Sequence, residues 1–504
     1  MWTIQDTFTK FVFPFNMELR DESALETLAS SLTAATRDAT DTADCSLWVE
    51  RPFADPDLHN LLPYVKRYIR DAHNHRRFVL DPDLLETLNN LQTSRMSDSE
   101  PGFYLSSVDL HLFFNGIGFL VAEIRPVACD ASELSTTWIE DLNADLASLG
   151  QGNPFWQRDF LPTPGCESRR HALPALLRGE KMTMGQLIHS LLSPLCQRAE
   201  GPFSCYEPLV DTFLPVYGAI LLRPSEKNVV RPSKQVDEQF QEFVMAHGIV
   251  LRKTLPSGNR NRFSRQSLTD PLHHYMPYHN VVHTQSLEGG FVLAYDNGDG
   301  GYFSGRQSGA MQSFRTNYFY MMLLALHQRM SILSYTAESA DAACHSHPAP
   351  RLRKLREDIY DFTARCYFSQ ASYSEERDQL YRRWQRAFNI GQMYDELKEQ
   401  VHEIEGYLAQ LARDEELATR EQELRQEAER TRIISLITLV LLPVSIGAGI
   451  IQASPIVAKW LHNGTPVIDA LLIIIVTVMI SGLAILWLVI QTGRIRTRKR
   501  AARE

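Results

Sequence analysis

The chain has 504 residues, of which 44% are hydrophobic and 22% are charged, and its formal net charge at pH 7 is -9. This length leaves room for one large or two modest folded domains. The acidic balance gives no general reason to expect nucleic acid as a partner. Seven cysteines are scattered along the chain, an odd number without a closely spaced pair, which is typical of free thiols in a reducing compartment.

Mixed strand and helix patterns run from the N-terminus to about residue 305. The clearest signal is a pair of β-rich runs, 108–114 and 117–124, joined by Asn115-Gly116. This dipeptide predicts a hairpin, because a type I′ turn needs positive φ at both central residues. A last hairpin is predicted where 289–295 and 301–303 flank a turn rich in Asp and Gly. Since no regular βαβ alternation is present, the pattern predicts an α+β domain over residues 1–305.

Helical periodicity dominates residues 306–432. Beyond a proline-containing break near residue 348, the segment 352–432 contains no proline. Apolar residues at steps of four and three between Leu397 and Leu411 are typical of a long helix that packs against partners, as in a coiled coil. The sequence therefore predicts a long helical stalk.

Two long apolar runs near the C-terminus, 433–453 and 467–490, are predicted to be transmembrane helices. Each reaches the roughly 20 residues that a helix needs to cross a bilayer. A short loop, 454–466, separates them, and a tail rich in Arg and Lys, 491–504, follows. A pair of central core helices is the alternative for runs of this apolarity.

The flanking charges predict the orientation of these runs. Arginines precede the first run and are frequent in the tail, whereas Lys459 is the only lysine or arginine of the loop. By the positive-inside rule, the large N-terminal part and the tail are expected in the cytoplasm and the loop outside. The sequence thus predicts a multi-pass protein of the cytoplasmic cell membrane with both termini cytoplasmic.

Small and polar residues share one face of the first run, at alternating steps of four and three. This stripe comprises Thr431, Ser435, Thr438, Leu442, Ser445, Gly449 and Gln452. One interpretation is that the hydroxyls bond to their own backbone or join two helices. The other is that several copies line a water-filled path for hydrated cations, with Leu442 as its constriction. Because two helices per chain cannot enclose a pore, the second interpretation requires a homo-oligomer.

The order of a mixed domain, a long helix, two C-terminal spans with a short outer loop, and a basic tail resembles the CorA family of divalent metal ion transporters. Residues 437–451 are similar to the first pore helix of that family, including Leu442-Pro443 and Ala448-Gly449-Ile450. Residues 115–120 and 370–384 are similar to divergent bacterial members. The resemblance implies a CorA-like funnel, formed by a homopentamer with the first span lining the pore.

The resemblance also places a pore mouth. The family's Gly-Met-Asn signature, which in relatives is associated with holding the hydrated ion, falls on Gln452, Ala453 and Ser454. Gln452 offers a carbonyl and Ser454 a hydroxyl, so a cation entry site is chemically possible. The implied cargo is a metal cation, magnesium or another divalent ion, and no further cofactor is expected.

Four histidines lie within eleven residues: His273, His274, His279 and His283. Imidazole is a common ligand of transition metals, and a spacing of four occurs in zinc-binding helices. However, the glutamate of the hydrolytic motif is missing, and the nearby proline predicts loop and strand. A metal site and a structural or exposed cluster both stay open.

No nucleophile motif, phosphate-binding loop or dinucleotide fingerprint is present, so no enzymatic activity is predicted. The first hypothesis is a homo-oligomeric cation channel or transporter, gated by its cytoplasmic domain, with the lipid bilayer, metal cations and further copies of itself as partners. The second is a poorly selective pore that opens when the large domain binds a signalling molecule. The third is a binding or enzymatic module that its spans merely tether to the membrane, for which the histidine cluster is the only support.

Overall fold

The computed structural model describes most of the chain up to residue 452 and a few residues beyond. The described residues are 2–17, 19, 24–33, 47–53, 58–90, 102–127, 134–149, 182–196, 206–224, 234–263, 270, 273–298, 301–303, 309–344, 348–452, 476, 479–480, 482–483 and 487.

Ten strands form one mixed sheet in the order β2-β3-β4-β5-β1-β7-β10-β9-β8, and the short β6 pairs with β1. The strands are β1 (Trp2–Asn16), β2 (Trp48–Glu50), β3 (His75–Leu80), β4 (Gly102–Phe113), β5 (Ile117–Val127), β6 (Glu207–Pro208), β7 (Val216–Pro224), β8 (His274–Tyr278), β9 (Val281–Ser286) and β10 (Gly289–Tyr295). Strands β7 and β10 are parallel, and the other paired strands described are antiparallel.

Helices cover the sheet. They are α1 (Ala24–Thr33), α2 (Pro63–Arg70), α3 (Pro82–Asn90), α4 (Thr136–Ala147), α5 (Met184–Cys196), α6 (Lys234–Arg252), α7 (Ala310–Ser313), α8 (Phe319–Ala343), α9 (Pro348–Cys366), α10 (Glu375–Ala387) and α11 (Ile390–Gln452). A π-helical turn, Phe314–Tyr318, joins α7 to α8.

The two faces of the central strands meet different helices. On β1, Phe11, Phe13 and Phe15 belong to an apolar core that also contains residues of α1 and α3 to α6. On the opposite face, the Lys10 ammonium lies 4.3 Å from the centre of the Phe319 ring at the start of α8. Because both faces are covered, β1 is buried over most of its length.

The predicted Asn-Gly hairpin is confirmed, but its turn is not of type I′, because Asn115 is not among the described non-glycine residues with positive φ. Strands β4 and β5 pair antiparallel on either side of the turn, and Gly116 has a φ of 83°. A side chain at Gly116 would also meet the Met17 carbonyl oxygen at 2.1 Å. The other predicted hairpin is wrong: β10 pairs with the preceding β9, and 301–303 form a turn rather than a strand.

The prediction of two membrane-spanning helices is wrong. Within the part of the chain that the structure describes, no helix has a stretch both long enough and apolar enough to cross a bilayer. The first run does not begin a helix of its own: its described residues, 433–452, form the end of α11, whose preceding turns carry charged residues. Most of the second run, 467–490, lies outside the described residues, as do the loop 454–466 and the tail 491–504.

This finding also corrects the predictions that depended on the spans. The fold class is a mixed ten-stranded sheet with helices, and the predicted pair of transmembrane helices is not found among the described residues. The predicted multi-pass location in the cell membrane is wrong for the same reason.

Two compact units divide the chain, Met1–Ile404 and Glu405–Glu504. The first contains the whole sheet, helices α1 to α10 and the first turns of α11.

Candidate anion-binding pocket and buried polar row

The seven residues of the predicted pore stripe all lie on α11. The hydroxyls of Thr431, Ser435 and Thr438 donate to the carbonyl oxygens four residues earlier, at 2.7–2.8 Å. Bonding back to the helix was one of the two interpretations of this stripe. Leu442 is exposed, and the lining of a pore by this stripe stays a prediction. Of the predicted pore mouth, Gln452 is the last described residue of α11, and Ala453 and Ser454 lie outside the described residues.

The four clustered histidines have different surroundings on the β8–β9 hairpin. His273 Nδ1 lies 2.9 Å from the Gln285 carbonyl oxygen, and His274 Nε2 lies 3.2 Å from the Arg252 guanidinium. His283 is buried and stacks on a tyrosine ring, whereas His279 lies beyond the end of β8. Among the described residues, no group of three or more His, Cys, Asp or Glu side chains is arranged to hold a metal ion.

A cavity of about 620 Å³ lies where α10 passes into α11. It is lined by Tyr367, Ser369, Gln370, Arg382, Gln385, Arg386, Asn389, Ile390, Gly391 and Gln392. This volume is within the range of small-molecule sites, and every lining residue belongs to the first compact unit.

A sharp turn between the two helices forms one wall of the pocket. Asn389 follows the end of α10 with a φ of 55°, a left-handed conformation that asparagine adopts more readily than most residues. Its carbonyl oxygen accepts the first α-helical hydrogen bond of α11, from Met393 N at 3.2 Å. The amides of Ile390, Gly391 and Gln392 therefore have no acceptor within the helix, and these residues line the pocket.

Two arginines, one turn apart on α10, contribute positive charge. Arg382 Nε lies 2.9 Å from the Asp378 carboxylate, which neutralises its charge. Arg386 is exposed, and its guanidinium has no ion pair or hydrogen bond to any residue in the described ranges. The pocket thus combines one uncompensated cation with the positive end of a helix dipole.

The remaining wall is held in place by hydrogen bonds. Gln385 Nε2 donates to the Gln328 side chain and to the Phe368 carbonyl oxygen, each at 3.0 Å. The Tyr367 ring stacks on Tyr394 with centroids 3.8 Å apart. Because these contacts fix the wall, the pocket is preformed for a ligand. Uncompensated positive charge beside helix N–H groups is suited to a phosphate or carboxylate.

A second polar feature crosses the face of the sheet on which Lys10 contacts α8. In register from β9 to β4 lie Gln285, Gly290, Tyr217, Lys10, Glu123 and Ser107, which we name the polar row. Lys10 Nζ lies 3.3 Å from the Glu123 carboxylate, and Arg315 of the π-helical turn lies 2.5 Å from it. Burial alone would raise the pKa of Glu123, but the two cations outweigh burial and lower this pKa to about 2.

Sequence reasoning missed both features. The sequence predicts a long helical stalk over 306–432, but from Pro348 onward the chain is divided into α9, α10 and α11, and the pocket lies at the break between α10 and α11. A usable signal was Asn389 next to Gly391, directly after two arginines at helical spacing. The polar row left no such signal, because its members come from strands far apart in sequence.

Comparison with known proteins gives no family. No protein-family model, no curated protein and no solved structure matches the chain.

Proposed function

We propose that the chain is a binding module without enzymatic activity, which senses a small anionic molecule, such as a phosphorylated metabolite, in the pocket at the start of α11. The observation that carries this proposal is the Arg386 guanidinium, which lines the pocket without an ionic partner among the described residues. The free amides of the first turn of α11 supply further donors to the same ligand.

A ligand held there contacts two elements at once. Its negative charge binds Arg386 on α10 and the first N–H groups on α11, with only the turn at Asn389 between the helices. Binding therefore stabilises one arrangement of this junction over others, which is the physical requirement for a ligand to shift a conformational equilibrium. The proposed anion site retains one part of the second hypothesis drawn from the sequence, namely that the large domain binds a signalling molecule.

The test is thermal unfolding of the full chain with inorganic phosphate or pyrophosphate as the probe, against sodium chloride at the same ionic strength. We expect the unfolding midpoint to rise with phosphate concentration, because a ligand that binds the folded state alone stabilises it by RT ln(1 + [L]/Kd). Arg386→Gln is expected to abolish the rise and leave the midpoint without phosphate unchanged.

The matched control is Arg353→Gln, because Arg353 is an exposed arginine on α9 that does not line the pocket. This variant should respond to phosphate as the unaltered chain does. An equal response to chloride and phosphate, or a full response of Arg386→Gln, would refute the proposal.

Transport of metal cations and assembly as a homo-oligomer stay predictions that no finding tests. The transport hypothesis needs two membrane spans, and no helix among the described residues is long and apolar enough to supply one.

A further inference from the structure

Three neighbouring side chains, at the face of the sheet that carries the polar row, end in polar atoms that have no hydrogen-bond partner within the described structure. These atoms are the Tyr217 hydroxyl, Gln285 Nε2 and Trp384 Nε1. Each of the three residues is at most 1% exposed. Folded proteins rarely leave buried polar groups unpaired, so such a group calls for an explanation such as an ordered water or an ion.

The three side chains are adjacent. Gln285 and Tyr217 both stand opposite Gly290, one on each side of it in the polar row. The Trp384 ring, which comes from α10, covers Gly290 so closely that an added Cβ would lie 2.5 Å from its Cη2 atom. The Trp384 and Tyr217 rings have centroids 6.5 Å apart. The indole therefore covers Gly290, the residue that separates the two strand side chains in the polar row.

All three groups can donate a hydrogen bond. An amide nitrogen and an indole nitrogen are donors only, and burial raises the pKa of Tyr217 well above its usual value, so that its hydroxyl keeps its proton. The Tyr217 oxygen can also accept a hydrogen bond, but donors outnumber acceptors in this set, so the set is complementary to a small electron-rich species. Leaving one such donor unpaired lowers the folding equilibrium constant by roughly 5- to 150-fold, so occupancy is strongly favoured.

We propose that Tyr217, Gln285 and Trp384 line an enclosed site for one small hydrogen-bond acceptor, a water molecule or a halide ion, between the sheet and helix α10. The site is separate from the anion pocket, because none of its three residues lines that pocket. A molecule bound there supplies hydrogen-bond partners to the three donors where α10 contacts the sheet.

The decisive test is a crystal structure of the full chain at high resolution, from crystals grown in sodium bromide, with anomalous data at the bromine edge. We expect density within hydrogen-bond distance of at least two of the three donors. An anomalous peak identifies a halide, and an oxygen-sized peak without anomalous signal identifies water. A site without density between the donors overturns the proposal.

An independent readout comes from denaturant unfolding of Tyr217→Phe. If the hydroxyl has a bound partner, its removal should lower the folding equilibrium constant by about fivefold, the usual effect of losing one hydrogen bond. The matched control is Tyr381→Phe, since this buried hydroxyl donates to the Phe368 carbonyl oxygen at 3.2 Å and should show a similar loss. An unchanged or raised stability of Tyr217→Phe alone would also contradict an occupied site.

Discussion

Gly290 shows how one residue fixes the contact between the sheet and α10. A Cβ at this position would lie 2.4 Å from the Thr284 carbonyl oxygen and 2.5 Å from the Trp384 ring. Neither the backbone of Thr284 nor the buried Trp384 ring can move aside, so there is no space for a methyl group at this position. We expect Gly290→Ala to lower the free energy of unfolding by about 2 kcal/mol or more, as overpacking does, measured by urea denaturation.

The control is the same change at Gly406, within α11. No heavy atom lies within 4 Å of a Cβ added there, and alanine has a helix propensity better than that of glycine by up to about 1 kcal/mol. Gly406→Ala should therefore be neutral or stabilising. If both variants were equally stable, the close packing at Gly290 would not hold in solution.

Glu123 is the residue on which the buried charges converge. Its carboxylate contacts Lys10, Arg125 and Arg315. Glu123→Gln would leave these cations without their counter-charge, and we expect a loss of about 3 kcal/mol or more in the free energy of unfolding. Glu238→Gln is the control, because its pair with Lys234 is solvent-exposed and should contribute less than about 1 kcal/mol.

Between elements, three imidazoles join β3, β4 and α8. His75 Nε2 lies 3.1 Å from His111 Nδ1, and the His327 ring stacks on Phe113 with centroids 4.0 Å apart. Burial lowers the pKa of His75 to about 4 and that of His327 to about 3. The folded protein therefore keeps both rings neutral at pH values where the unfolded chain already binds protons.

The sign of the pH dependence follows from these lowered pKa values. At pH values well above 6.5, both the folded and the unfolded state hold these imidazoles neutral, and the free energy of unfolding does not depend on their titration. As the pH falls from 6.5 towards 4, the unfolded state gains protons first, and each such histidine removes about 1.4 kcal/mol per pH unit. We expect denaturant midpoints to fall over this interval.

The contribution of one ring can be isolated with His327→Gln. An amide can keep the contact that His327 Nε2 makes with Asn115 Oδ1 at 3.0 Å, but it does not titrate. Between pH 6.5 and 4, the unfolding free energy of this variant should change less steeply with pH, by about 1.4 kcal/mol per pH unit, which corresponds to one proton. The control His402→Gln, at an exposed position of α11, should show the same pH dependence as the unaltered chain. A slope unchanged in His327→Gln would mean that this ring is not held neutral.

For the whole molecule, the division after Ile404 makes a direct prediction. The sheet, its helices and every residue that lines the pocket belong to Met1–Ile404. We expect a fragment of residues 1–404 to unfold cooperatively, with the same response to phosphate as the full chain. Calorimetry of the two proteins checks this. A fragment without a cooperative transition would show that the first unit is not stable without the second.

The sequence predicted elements whose signals are local. The Asn115-Gly116 hairpin was foreseen because its turn chemistry is contained in two residues, and helical spacing marked α8. The long helical stalk predicted over 306–432 is interrupted, because periodicity and the absence of proline cannot reveal a turn that Asn389 makes in a left-handed conformation. The membrane spans were predicted from apolar length alone, but the structure places the first run at the end of a helix that begins at Ile390.

By itself, then, the sequence determined that the N-terminal part mixes strands and helices, where one hairpin turns, and that histidines cluster near residue 280. Only the tertiary structure decided that Gln285, Tyr217, Lys10 and Glu123 share one register across the sheet, and that Arg386 reaches a cavity beside the first turn of α11. The physical reason is that strand order and helix contacts bring together residues hundreds of positions apart, and no local pattern encodes that choice.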